Sequence, residues 1–171
     1  MKLRTIFRTI LVTAALAVMS IAASAQNFNQ QGVTLTAPVA LTTSGPAAGI
    51  TDSGLPYTST IYSGTLPNTD MFVVGIAEYN AAVNYSDLSK FGDAFVASAK
   101  GKILKSSSLT VGGLPALGLT VEVLTGDRTL RIAWVGVVKG NRAYQFVFGS
   151  YMDVQSNMDQ VNTFFNSITI S

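Results

Sequence analysis

At 171 residues without a single His or Cys, the chain lacks the groups for a Ser-His-Asp triad, a cysteine protease, a zinc site of the usual ligands or a dithiol couple. Its formal charge of +2 misleads, because three of the eleven Lys and Arg precede residue 26 while all nine Asp and Glu follow it, leaving −1 over residues 26–171. The charge excess of a nucleic-acid binder is absent, so no nucleic-acid partner is expected.

The chain opens with Lys2, Arg4 and Arg8, an uncharged run from Thr9 to Ala22, and Ala23-Ser24-Ala25 before Gln26. That order reads as a secretory signal peptide over residues 1–25, cut between Ala25 and Gln26. The apolar run is short for a membrane span, and no stop-transfer charges follow it. With no Cys after the cut, no lipid anchor is expected, and the exported domain, periplasmic or secreted, folds without disulfides. Few charges and many Thr, Ser, Asn and Gly residues suit an exported bacterial protein. The remaining 146 residues fit one domain over 33–171, preceded by a flexible, functionless lead at 26–32.

From Val33 to Thr69 the chain holds one charge, Asp52, and is punctuated by Pro and Gly, as expected of short strands and turns. Val33, Leu35 and Ala37 alternate with Thr34 and Thr36, and Pro38 would confine that strand to a sheet edge. Met71–Tyr79 is apolar at nearly every position, the pattern of a strand covered on both faces.

Ser86 is a candidate N-cap for a helix whose apolar stripe is Leu88, Phe91, Phe95 and Ala99, with Lys100, Lys102 and Lys105 near its end and Gly101 as its stop. A second helix is predicted from Ser156, with Asp159 completing a capping box and Val161, Phe164, Phe165 and Ile168 as its stripe. Between them, Gly126-Asp127 and Gly140-Asn141 are two-residue hairpin turns. The first turn pairs Glu122 with Arg131, Val121 with Ile132 and Leu119 with Trp134. The second pairs Trp134 with Val147, Val135 with Phe146 and Ala133 with Phe148.

Alternation then collects Leu119, Val121, Val123, Leu130, Ile132, Trp134, Val138 and Val147 on one face. The other face collects Ala133, Val135, Val137, Tyr144, Phe146 and Phe148. Both are apolar, so both need a cover. The fold class expected is α+β, an antiparallel β-sheet with helices on both faces, or α/β/α sandwich.

Over Met71–Ser171 the layout resembles the PsbP-like family, which includes DcrB-like periplasmic proteins. The resemblance is carried by Gly113-Leu114-Pro115-Ala116, the Gly140-Asn141-Arg142-Ala143-Tyr144 hairpin and the closing Phe165-Asn166-Ser167-Ile168. It implies an α-β-α sandwich used as a non-catalytic accessory or binding domain, with no catalytic set to transfer.

Motifs for chemistry are missing. No Ser lies three residues before a Lys, there is no G-x-S-x-G, no two glycines sit two apart, and Gly101-Lys102 lacks the earlier Gly of a phosphate loop. Asp87 with Asp93 and Asp153 with Asp159 lack the alternating oxygen-ligand loop of a calcium site and read as helix-start acids. Glu122 and Arg131 read as a cross-strand ion pair, or alternatively as a cleft acid and its partner. Tyr57, Tyr62, Tyr79, Tyr85 and Tyr151 are packing groups or part of a ligand cage. The lysines at 100, 102 and 105 are a solvated helix end or a site for an acidic partner.

The function expected is therefore an exported, soluble, non-catalytic binding or accessory domain acting on an envelope protein, without cofactor or metal. The alternatives are a small-ligand carrier with a pocket between sheet and helix near Trp134 or the tyrosines, and a carboxylate-based hydrolase using Glu122. The candidate binding residues are Glu122, Arg131, Trp134, Tyr57 and Tyr62.

Overall fold

The computed structural model describes residues 25–51 and 53–171. The export segment expected over 1–25 lies outside the described residues except for Ala25, which is exposed and precedes Gln26, the first residue of the first strand. Along the chain run β1 (Gln26–Gln30), β2 (Val33–Ala37), β3 (Thr42–Ile50), β4 (Pro56–Thr65) and β5 (Met71–Tyr79). A 3-10 turn (Tyr85–Asp87), α1 (Leu88–Ala99), β6 (Lys102–Val111), β7 (Leu114–Thr125), β8 (Arg128–Lys139) and β9 (Arg142–Tyr151) follow, then α2 (Met158–Asn166) and β10 (Thr169–Ile170).

Seven strands form one antiparallel sheet in the order β3-β4-β5-β9-β8-β7-β6, and β1-β2-β10 form a second sheet of three. The hairpin registers agree with the sequence reading, with Thr125 opposite Arg128, Glu122 opposite Arg131, Leu119 opposite Trp134, Lys139 opposite Arg142 and Trp134 opposite Val147. The two apolar faces of β7–β9 duly feed two separate cores. One packs Leu119, Val121, Ile132, Trp134 and Val147 under Phe95, Val96 and Ala99 of α1.

What covers the other face overturns the α/β/α sandwich. Phe72, Val74, Val137, Phe146 and Phe148 meet the second sheet, through Phe28 of β1, Val33, Leu35 and Ala37 of β2, and Ile170 of β10. Helix α2 packs along β2 and sends Phe164, fully buried, edge-on into Phe72 at 5.1 Å between ring centroids. The protein is thus mostly β, two sheets face to face with one helix on the outer side of the larger. The physical reason lies in residues 26–37. The stretch expected as a flexible lead is strand β1, hairpinned to β2 through Gln31 and Gly32, both at positive φ (48° and 81°) as a tight two-residue turn demands. The Val33-Leu35-Ala37 alternation is real, but β2 is the central strand of its sheet, and Pro38 ends it instead of marking an edge.

The helices begin elsewhere than expected. The first is entered through the 3-10 turn, where the Asp87 carboxylate accepts from the Asn84 backbone N–H at 3.0 Å, and Ser86 is not the cap. Lys100, left-handed at φ 53°, ends it, so Lys102 and Lys105 belong to edge strand β6 and are not a helix end. The second helix is capped by Asn157, whose Oδ1 accepts from the N–H groups of Asp159 and Gln160 at 3.1 and 3.3 Å. Ser156 instead donates to the Asp70 carboxylate at 3.1 Å and bonds the Ser150 hydroxyl at 2.8 Å.

Asp70 is 1% exposed and also accepts from Asn68 Nδ2 at 3.0 Å, so it fastens the start of β5 to the approach to α2. Replacing Asp70 by Ala leaves these donors without their acceptor, and we expect a loss of about 1–3 kcal/mol of stability, read from the urea midpoint.

Candidate functional site

Helix α1 covers only part of its face. It seats on β7 and β8, where Gly92 permits close approach, since an added Cβ there would lie 2.8 Å from Leu119 Cδ1. Its flank of Phe91, Ala94 and Ala97 overhangs β5 and β9, and there the sheet is floored by small residues. Ser59, Ala77 and Ala143 are in register across β4, β5 and β9, and in the adjoining row Ile61, Gly75, Gln145 and Gly136 follow one another into β8. Between floor and overhang lies a cleft of about 790 Å³, within the ordinary range for small-molecule sites.

Aromatic rings wall the cleft. Tyr57 and Tyr79 lie 5.4 Å apart in adjacent strands, and Tyr79 stacks on Phe91 of α1 at 5.8 Å and 17°. Trp134 lies at the base, 1% exposed, stacked on Phe95 at 6.1 Å with its indole N–H donating to Gln145 Oε1 at 3.1 Å. Its ring occupies the space above Gly136, where a Cβ would come within 2.3 Å of it. Burial pushes the Tyr57 phenol up, and it pushes Tyr79 up to about 12, helped by Tyr57 and Asp87 nearby. Asp87 at the rim is held below the usual carboxylate range by the Asn84 N–H first and the Lys90 ammonium second.

Of the five candidate residues, the structure brings Trp134 and Tyr57 together in this cleft. Tyr62 points to the opposite face, 7% exposed, where it meets Phe28 edge-on at 4.8 Å and takes a bond from Gln31 at 3.5 Å. Glu122 and Arg131 also lie on that opposite face, joined at 3.1 Å and about one-third exposed. Their register neighbour in β6 is Lys102, so cations flank Glu122 on both sides. The paired acids are likewise dispersed, with Asp87 on Lys90 at 3.1 Å and Asp153 on Arg128 at 2.9 Å. Among the described residues no cluster of His, Cys, Asp or Glu could hold a metal, and no helix is long and apolar enough to cross a membrane.

Phe91 and Gln145 are not among the residues the sequence singles out for the site, and Tyr79 is one of five tyrosines for which packing and a ligand cage both stay open. The available signal was Gly75, an isolated glycine within a strand, which marks a close approach. A Cβ there would collide with the Gln145 side chain at 2.4 Å.

Tyr79 supplies a pH signature. Its folded value lies above the free phenol value of 10.0, so stability is unaffected below that pH and falls as pH rises from 10.0 towards about 12. Tyr79→Phe should flatten the alkaline decline in urea midpoint, and tyrosinate absorbance should lose a step above the free phenol value.

No family model matches the chain, and no curated protein matches it. Among solved structures, a crystal structure from Bacteroides thetaiotaomicron VPI-5482 is similar at 12% identity and a TM-score of 0.49, over 82% of this chain and 45% of that one. The chain therefore spans under half the length of that protein.

Proposed function

We propose that the protein is a non-catalytic binding domain that carries a small, largely apolar ligand in the cleft between the large sheet and α1, outside the cytoplasm. The observation that carries this reading is the aromatic-walled cleft of about 790 Å³, floored by Ala77 and Ala143 and closed at its base by Trp134. Large apolar surfaces are normally sealed by their neighbours, and one left concave with rings on its wall gains from covering that apolar area. Binding without catalysis is supported by the titratable groups at hand. Two phenols are neutral at ordinary pH, and of the two rim carboxylates, Asp87 and Asp93, the first is already engaged by Lys90. The export-type reading of residues 1–25 supports action beyond the membrane.

Trp134 is the only tryptophan and reports on the cleft directly. Titrating the protein with Nile red should quench Trp134 emission saturably at one site and shift the dye's emission to the blue. Ala77→Phe, which fills the floor, should weaken the dye by about tenfold or more, because a ligand would have to displace a buried ring. Equal binding by both proteins, or none by either, would refute the reading.

A further inference from the structure

Resting on that reading of the cleft, we propose its ligand class: an uncharged, flat molecule bearing a hydrogen-bond acceptor such as a ketone or amide carbonyl, held by the side-chain amide nitrogen of Gln145. An indole N–H can only donate, so the Gln145 atom 3.1 Å from Trp134 Nε1 is its carbonyl oxygen. That contact fixes which way the amide faces. Its nitrogen is directed to the other side, over Gly75, where an added Cβ would lie 2.4 Å from Nε2. Among the described residues Nε2 donates to no acceptor, and it is not sealed from solvent as Arg131 Nε is. The cleft floor therefore presents an amide donor in an otherwise apolar setting, oriented by the tryptophan beneath it and given room by a glycine in the neighbouring strand.

The apolar lining disfavours any charge, and the rim adds to this against an anion. Lys90 is the only basic residue lining the cleft among the described residues, and its ammonium is held by Asp87 at 3.1 Å, with Asp93 on the same rim. A ligand carboxylate would meet two like charges and no uncommitted cation. The wall selects for shape, since Tyr79 and Phe91 are nearly parallel at 17° and the small floor residues leave a slot alongside them.

The test measures binding of 2-acetylnaphthalene, 2-ethylnaphthalene and 2-naphthoate to the full chain by equilibrium dialysis. The ketone should bind about three- to tenfold more tightly than the hydrocarbon of the same shape, the gain of one hydrogen bond, and the carboxylate should bind worst. Gln145→Glu keeps an acceptor for Trp134 Nε1 but removes the donor, and should abolish the preference for the ketone while the hydrocarbon still binds. Gln145→Met, neutral and similar in length, should do the same and serves if the glutamate variant does not fold. Equal binding of ketone and hydrocarbon by the unaltered protein, or a preference that survives both variants, overturns the assignment to Gln145 while leaving the cleft a ligand site. Failure of all three compounds to bind overturns the cleft reading with it.

Discussion

A β-sheet that is apolar on both faces has to be covered twice, and every larger feature of this protein answers that requirement. Strands β7, β8 and β9 supply the demand: Val121, Ile132 and Trp134 point one way, and Val137, Tyr144 and Phe146 point the other, all buried. The two covers are unlike. A second sheet stitched from residues 26–37 and 169–170 matches the pleated surface opposite, whereas the other face receives a single helix of twelve residues.

That inequality generates the cleft. Seven strands are six spacings wide, about 29 Å at roughly 4.8 Å per spacing, while a helix with its side chains is about 10 Å across. One helix cannot seal such a surface. Where α1 seats, on β7 and β8, the sheet offers the branched residues Val121 and Ile132; where it does not reach, it offers Gly75, Ala77 and Ala143. The rings of Tyr57, Tyr79 and Phe91 stand at the edge of the uncovered part and leave a concavity instead of a flat greasy face.

Local signals carried the hairpins well. Gly126-Asp127 and Gly140-Asn141 set the registers of β7–β9, and with them the face on which each side chain lies, because a period of two leaves no freedom once one pair is known. What covers those faces depends on partners far apart in sequence. Nothing local in Gln26–Gln30, polar at four of five positions, announces a strand; it forms because β2 offers a free edge and Phe28 fits against Tyr62. The site was legible in the same measure. Trp134 and Tyr57 were visible as residue types, but their meeting needs the β4-β5-β9 pairings, for which no short turn gives the register. Glu122 and Arg131 were correctly paired, yet they sit across the sheet from Trp134.

The second sheet joins the first of the described strands to the last. Val33 and Thr34 pair with Ile170 and Thr169, the Thr34 and Thr169 hydroxyls meet, and the Ser171 N–H donates to the Gly32 carbonyl at 2.8 Å. A strand pair separated by so much of the polypeptide raises the contact order and forms late. The β1-β2 hairpin can form from one contiguous stretch, but it lacks its third strand until β10 is delivered. Until then Phe164 and Ile168 have not been delivered, and the apolar face carrying Phe72 and Phe146 stands open. A chain that has not yet docked β10 and α2 is therefore the species most prone to aggregate or to be held by a chaperone.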